Sequence, residues 1–200
     1  IYINPMRTAL ITLSISFSIV AFGQNIQYRN DSLFVNSFCV DAQTSKPTLD
    51  SLLSSKGKTK RSKDNYKINP ATGKSVKQTT DYYYDLGLFF RKYDYDSTKL
   101  SVGIKLNRDT NKKEERKDEL TETFKGELFI AGNYINDKKT FEQLQQLKNC
   151  YITTTHVSIG FNSSLIGGDI IYLQNIIRLS FDSKTKELKS VFIHHNFKYR

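Results

Sequence analysis

The sequence predicts an α+β fold dominated by strands, with a mainly antiparallel sheet and two short helices. Several short segments alternate apolar and polar residues, and Lys99–Leu106 is the clearest of them. Short connections rich in Gly, Asn and Asp separate these segments, and connections of that length favour antiparallel pairing. Apolar residues recur at helical spacing in only two places, which indicates few helices.

The N-terminal part of the domain is predicted to form two strands and a helix. The strands cover Ile26–Arg29 and Leu33–Val40 and are separated by a turn. Three leucines at helical spacing within Leu49–Leu53 predict the first helix. Ser45 or Thr48 caps its N-terminus, because a hydroxyl there accepts a hydrogen bond from an unpaired backbone N–H.

The composition changes sharply over residues 56–80. This segment is rich in Lys, Ser, Thr and Asn, and it contains Pro70 and Gly73. Few of its side chains are large and apolar, so it has little surface to bury in a core. We therefore expect a mobile basic excursion, which is either a loop or a long hairpin.

The middle of the chain predicts three strands and a second helix. The strands are the apolar run Tyr82–Phe90, the alternating segment Lys99–Leu106 and the segment Phe124–Ile130. Residues 141–147 carry apolar side chains three positions apart, which predicts the second helix, with Thr140 as its N-cap.

The C-terminal quarter is predicted to be a run of four strands. Gly167-Gly168 is expected to form the turn of a hairpin. Short connections again favour antiparallel neighbours. The predicted strands cover Tyr151–Gly160, Asp169–Leu173, Asn175–Phe181 and Leu188–Phe197.

The first 23 residues have the pattern of a cleavable secretory signal. Arg7 supplies a positive charge, about a dozen apolar or hydroxyl residues follow it, and Ala21 and Gly23 are small. This pattern places the cleavage between Gly23 and Gln24, with Met6 as the expected translation start. The alternative is a membrane anchor, but the stretch is shorter than the ~20 apolar residues that a bilayer requires.

Export follows from this signal. We expect residues 1–23 to be a signal peptide and residues 24–200 to be a single domain. The processed protein is then periplasmic or secreted, and it is not an integral membrane protein.

Composition and charge limit the class of protein. The 200 residues include 30 Lys+Arg and 20 Asp+Glu, for a formal net charge of +10, and 38% of them are hydrophobic. The apolar content is low, but 13 Phe and 12 Tyr supply large side chains for a core. A multi-pass membrane protein, a disulfide-dense mini-scaffold and a collagen are excluded.

The two cysteines, Cys39 and Cys150, are an even pair in a chain that is expected to enter an oxidising compartment. They are candidates for one disulfide that closes a loop of about 110 residues. The alternative is two separate buried thiols. Two isolated cysteines do not build a tetrahedral site, so no metal and no cofactor are expected.

A cluster of cations is the candidate patch for an anionic partner. It places five cations within eight residues: Lys56, Lys58, Lys60, Arg61 and Lys63. Such a cluster attracts phosphates or acidic surfaces. It lacks the interleaved aromatic residues that stack on bases, so nucleic acid is not the expected partner. An envelope polymer or an acidic protein fits it, and so does a solvated loop that has no partner.

Four carboxylates lie among tyrosines in the stretch 81–96, at Asp81, Asp85, Asp94 and Asp96. Paired carboxylates hydrolyse glycosides, so this stretch suggests a carbohydrate-active or carbohydrate-binding domain as the alternative function. The same residues also fit an ordinary strand with packed aromatic rings. No motif of a nucleophile or metal site accompanies the three histidines, so no catalytic residue is assigned.

Three short motifs carry a resemblance: a helix end at Leu52–Arg61, an aromatic-Asp-Leu-Gly strand at Tyr83–Leu88 and a Phe-x-Gly-x-Leu strand at Phe124–Gly132. They resemble an uncharacterised family of small exported bacterial proteins, of the kind found in Bacteroidota. Ser54 stands where that family favours Gly, and Tyr84 replaces its first Asp. The resemblance spans roughly residues 33–195 and implies no activity, but such proteins include partner-binding and toxin-neutralising immunity proteins.

These observations predict a non-enzymatic, exported protein that binds another protein of the cell envelope. An immunity-type inhibitor is one concrete form of such a protein.

Overall fold

Strands dominate the fold, and the helices are short. The computed structural model describes residues 24–30, 32–68, 72–108, 110, 120–144, 146, 151–160, 163–172, 175–182 and 184–196. The strands of the first half are β1 (Asn25–Arg29), β2 (Ser32–Val35), β3 (Phe38–Val40), β4 (Lys58–Ile68), β5 (Ser75–Tyr83), β6 (Leu88–Tyr93) and β7 (Asp96–Lys105). Those of the second half are β8 (Glu127–Ile130), β9 (Asn133–Ile135), β10 (Tyr151–Gly160), β11 (Ser163–Tyr172), β12 (Asn175–Phe181) and β13 (Leu188–Asn196). The α-helices are α1 (Lys46–Leu53) and α2 (Phe141–Leu144), and a 3-10 turn covers Tyr84–Leu86.

The strands form two sheets. The small sheet has the order β3-β2-β1-β8-β9, and the large sheet has the order β10-β11-β12-β13-β7-β6-β5-β4. Neighbouring strands run antiparallel, except that β1 and β8 are parallel. The predicted strand-dominated, mainly antiparallel fold with few helices is therefore confirmed.

One apolar cluster joins both sheets and α1. Alternation along each strand directs one set of side chains into this cluster. Val102 on β7 and Val191 on β13 belong to it from the large sheet, Ile26 and Leu128 belong to it from the small sheet, and Leu49 belongs to it from α1. The core therefore contains the inner faces of both sheets.

Helix α1 begins and ends at serines. The Ser45 Oγ accepts a hydrogen bond from the Thr48 N–H at 3.2 Å. Of the two residues predicted as the N-cap, Ser45 is therefore the one that has this role. Ser54 ends the helix in the left-handed region, with φ 49°, and its N–H donates to the Ser51 carbonyl. Leu49 and Leu53 are buried, which is the face that the leucine spacing predicts.

Three predictions of local structure are wrong. The segment Leu33–Val40 is not one strand but belongs to the two strands β2 and β3, because Asn36 and Ser37, both at positive φ, form a turn between them. The apolar run Tyr82–Phe90 is the end of β5 and the start of β6, because a 3-10 turn and Gly87, at φ +64°, reverse the chain within it. Gly167-Gly168 is not a turn but lies inside β11, where both residues pair with β12. Glycine pairs permit a tight turn without requiring one, and here the strand continues through them.

The basic segment 56–80 forms most of a hairpin. Strand β4 pairs with β5 from Lys58 opposite Tyr82 to Ile68 opposite Ser75. Of the two alternatives for this segment, a loop or a long hairpin, the structure shows the hairpin. Strand β4 is the edge of the large sheet.

The predicted signal at residues 1–23 lies outside the described residues, and Gln24 is the first that the structure describes. The cleavage between Gly23 and Gln24 therefore stays a prediction. None of the helices within the described ranges has the length and apolar character needed to cross a bilayer.

Candidate functional site

Strand β4 divides the predicted five-cation cluster between the two faces of the large sheet. Lys56 precedes the strand, and the other four cations lie on it. Successive side chains of a strand point to opposite faces, so Lys58 and Lys60 share one face. Arg61 and Lys63 share the other. All five residues are exposed, but they are not one patch.

The face that carries Arg61 and Lys63 continues the inner face of the sheet beyond the core. Tyr83 on β5 and Phe90 on β6 are fully buried on this face. Asp81 lies two residues before Tyr83 and is 4% exposed. The side chains of this face therefore change from apolar to charged along the hairpin, as it extends away from the core.

Cross-strand register brings two more lysines to the charged end. Arg61 pairs with Thr79, which pairs with Lys92 on β6. Lys63 pairs with Lys77 in the row beside it. We call the four cations Arg61, Lys63, Lys77 and Lys92 the basic rows.

A cavity of about 690 Å³ lies against the basic rows. All four of their cations line it, while Asp94 is the one carboxylate among its described lining residues. The other lining residues are Ser62, Gln78, Thr79 and Tyr93. A concave site with this excess of positive charge attracts anionic ligands.

The pair Lys63 and Lys77 is unfavourable by itself. Both side chains are exposed, and like charges directly opposite each other destabilise an antiparallel pair. The Asp94 Oδ1 accepts the backbone N–H of Lys77 at 3.0 Å, and the Asp94 N–H donates to the Lys77 carbonyl at 3.1 Å. An anion bound between the two ammonium groups would relieve their repulsion.

Lys92 is the one cation of the basic rows that is not exposed, and a hydrogen bond connects it to the rest of the domain. Its ammonium donates to the carbonyl of Thr44, in the connection between β3 and α1. Burial lowers the pKa of Lys92, although the carboxylates of Asp81 and Asp41 act in the opposite direction. The position of this cation is therefore set by the fold, whereas the three others are exposed.

The Gln78 side chain lies on the face opposite the basic rows, because Gln78 pairs with Ser62 and Tyr93. Its side-chain nitrogen donates to the Ser62 Oγ at 3.0 Å. Its buried Oε1 has no hydrogen-bond partner in the part of the chain that the structure describes.

The four candidate carboxylates are each held by a different local contact. Asp81 accepts the Thr59 hydroxyl, and Asp85 accepts that of Ser55. Asp94 accepts a backbone N–H, as described above. Asp96 accepts the N–H and hydroxyl of Thr98 and lies 3.0 Å from the Lys99 ammonium. These hydrogen bonds and the ion pair hold the carboxylates in separate turns and strands.

The opposite face carries aromatic rings and three cations, Lys58 and Lys60 on β4 and Arg91 on β6. The Lys60 ammonium lies 5.1 Å from the centre of the Tyr82 ring and 5.5 Å from that of Tyr84, and these two rings stack at 5.3 Å. The Arg91 guanidinium lies 4.9 Å from the Phe89 ring. Lys60 and Arg91 lie over rings of the protein itself, and neither they nor Lys58 lines the cavity of the basic rows.

The remaining sequence candidates do not join the basic rows. Cys39 is exposed on β3, and Cys150 lies outside the described residues, so the pairing Cys39–Cys150 stays a prediction. His194 Nδ1 lies 3.1 Å from the Ser101 Oγ in the large sheet. Within the described ranges, no three His, Cys, Asp or Glu side chains form a group that could hold a metal ion.

Sequence reasoning found Arg61 and Lys63 but missed Lys77 and Lys92. The pairs Lys63–Lys77 and Arg61–Thr79 are equidistant from residue 70, but a register shift between Asp64 and Ile68 follows, and Ile68 pairs with Ser75. A turn placed from composition alone therefore does not give the register of the whole hairpin. Lys92 follows only from the register of a third strand.

Comparison of this chain with protein families, with curated proteins and with solved structures finds no match. The site is therefore interpreted from its own geometry.

Proposed function

We propose that this protein is an exported, non-enzymatic α+β protein that binds an acidic surface of another protein in the cell envelope through the basic rows. The observation that carries the proposal is the convergence of four cations from three strands, with one carboxylate from the turn after β6, on a single cavity. An immunity-type inhibitor is one concrete form of this function, because positive and negative surfaces that face each other accelerate association and select the partner.

Several features favour binding over catalysis. The carboxylates of the carbohydrate alternative are each engaged in a local contact, as described above, whereas the basic rows leave three cations exposed. A cross-strand pair of lysines breaks a local rule of sheet stability, and such violations are typical of functional sites. Export rests on the predicted signal at residues 1–23, and the resemblance to small exported bacterial proteins agrees with it.

Neutralising the exposed cations of the basic rows is expected to weaken binding to a polycarboxylate. The variant is Arg61→Gln with Lys63→Gln and Lys77→Gln, and the probe is poly-L-glutamate, titrated by isothermal calorimetry against the full chain. Surface ion pairs contribute about 0.2–1 kcal/mol each, so for three pairs we expect a loss of about 0.6–3 kcal/mol, or roughly threefold to 150-fold in Kd.

The matched control removes the same charge elsewhere. Lys125, Lys138 and Lys184 are exposed and lie outside the cavity lining, so their change to Gln should leave Kd nearly unaltered. Equal losses in the two triple variants would show that only net charge matters and would overturn the proposal. Binding of a neutral glycan, with no binding of poly-L-glutamate, would favour the carbohydrate alternative instead.

A further inference from the structure

Strand β4 has one paired side and one side that faces outward. It is 11 residues long and pairs with β5 from Lys58 to Asp64 and again, after a register shift, at Ile68. Along its other side, no strand of the described part of the chain pairs with it. Edge strands of this length present a row of backbone N–H and C=O groups to other chains.

The cations of β4 lie above and below this free edge. Lys58 and Lys60 are on one face, and Arg61 and Lys63 are on the other, as the register with β5 requires. A ligand that lies on one face of the sheet meets only one of these two pairs. A strand that lies along the edge is flanked by all four side chains, because its own side chains also alternate between the two faces.

The charge on β4 determines which strand the edge accepts. Lysines on an edge strand prevent its pairing with the hydrophobic edge strands of other chains. Pairing with β4 of a second copy would also oppose like charges across the ladder, which is unfavourable. An acidic strand is the one that both the backbone and the side chains of β4 favour.

We propose that β4 binds an acidic extended segment of the partner protein by strand addition, at the edge of the large sheet. This inference rests on the proposed function, since the partner is the same, and it adds the conformation and the residue pattern of the segment that is bound. The backbone hydrogen bonds of the added strand supply affinity, and its alternating side chains supply specificity.

The spacing of the cations predicts the pattern of the bound segment. Positions 58, 60, 61 and 63 are separated by two, one and two residues, and this order is the same in both directions. Acidic residues directly opposite them have the pattern acidic-x-acidic-acidic-x-acidic, whether the added strand is parallel or antiparallel. The first two acidic residues then face one side of the sheet, and the last two face the other.

Synthetic peptides test this pattern directly. The matching peptide is acetyl-Thr-Glu-Val-Glu-Glu-Val-Glu-Thr-amide, and the control of identical composition is acetyl-Glu-Val-Glu-Thr-Glu-Val-Glu-Thr-amide, whose glutamates all share one face of a strand. Fluorescence anisotropy of labelled peptides with the full chain should show tighter binding of the matching peptide. Two additional cross-strand ion pairs correspond to roughly twofold to thirtyfold in Kd.

Backbone methylation separates strand addition from simple charge attraction. Successive N–H groups of a strand point to opposite edges. Two versions of the matching peptide, N-methylated at the even or at the odd positions, should therefore differ: one loses binding, and the other keeps it. Lys58→Gln with Lys60→Gln should weaken the matching peptide, although neither residue belongs to the basic rows, while Lys125→Gln with Lys138→Gln should not.

The outcomes distinguish this inference from the function on which it rests. Equal affinities of the matching and control peptides, or equal effects of the two methylation patterns, would overturn strand addition. The proposed function would still stand in that case if poly-L-glutamate distinguishes the basic-row variant from its control. Failure of every acidic probe to bind would overturn both proposals.

Discussion

Replacing Asp182 by Ala is expected to lower the free energy of unfolding by about 3 kcal/mol at neutral pH. Asp182 is 2% exposed, and its carboxylate accepts four hydrogen bonds. Its Oδ1 accepts the N–H groups of Lys184 at 2.8 Å and Thr185 at 3.0 Å, and its Oδ2 accepts the N–H and hydroxyl of Thr110 at 2.9 and 2.8 Å. This carboxylate therefore fixes the turn before β13 to Thr110, and its removal leaves all these donors without their acceptor.

The pH dependence of this effect follows from the same contacts. Burial alone would raise the pKa of Asp182, but the hydrogen bonds from Thr110, Thr185 and Lys184 outweigh it and hold the pKa well below its usual value. The unfolded chain therefore binds the proton more readily than the folded one. The stabilisation is complete above the unfolded pKa of about 4 and is lost progressively as the pH falls below that value.

Urea denaturation of wild type and Asp182→Ala at about pH 7 and about pH 2.5 measures both effects. The difference in unfolding free energy should shrink at the lower pH. Asp85→Ala is the control, because Asp85 is exposed and accepts the hydroxyl of Ser55, so its loss should cost less than about 0.5 kcal/mol. A difference for Asp182→Ala that is as small as the control, or that does not change with pH, would contradict this account of the turn.

The second large effect is expected for Gly126→Ala, which should lower the melting temperature by about 5–10 °C. A Cβ at Gly126 would lie 1.9 Å from the carbonyl oxygen of Gln24 and 2.5 Å from the Cζ of Phe124. The same carbonyl accepts the N–H of Glu127 at 2.8 Å, where the parallel pairing of β1 and β8 begins. An added methyl group therefore forces the two backbones apart at the point where the small sheet joins its two halves.

Gly132→Ala is the matched control for this substitution. Gly132 has φ +79° but no atom within 4 Å of an added Cβ, so its replacement adds only backbone strain of about 1 kcal/mol. Differential scanning calorimetry of both variants compares a steric cost with a conformational one. A melting temperature for Gly126→Ala that equals or exceeds that of Gly132→Ala would show that β1 and β8 are less close than described.

Alternation and residue spacing predicted the secondary structure correctly where burial of one face determines the residue pattern. Strands β12 and β13 and the leucine face of α1 agree with their patterns, since burial of one face imposes its period on the sequence. Strand β11 differs, because it begins at Ser163 rather than at the predicted Asp169. The run Tyr82–Phe90 is apolar on both sides of the Gly87 turn, so composition did not reveal that turn. The predicted turn at Gly167-Gly168 was wrong for the opposite reason. The composition favoured a turn, but both glycines continue β11 and pair with β12.

The candidate site was only half visible in the sequence. Arg61 and Lys63 lie in an obvious cluster, but alternation places Lys58 and Lys60 on the other face, where Lys60 lies over tyrosine rings. Lys77 and Lys92 join the site through cross-strand register, which depends on where each turn reverses the chain. Charges that are neighbours in the sequence do not reveal this register, because the register is a property of strand pairing.

Backbone amide chemical shifts of the isotope-labelled full chain, measured during titration with poly-L-glutamate, locate the binding site on the fold. The basic rows predict the largest changes at Arg61, Lys63, Lys77 and Lys92 and at their immediate neighbours in β4, β5 and β6. Changes that spread evenly over the surface lysines, or that concentrate around Lys125, Lys138 and Lys184 outside the cavity lining, would contradict the assignment of the basic rows as the binding site.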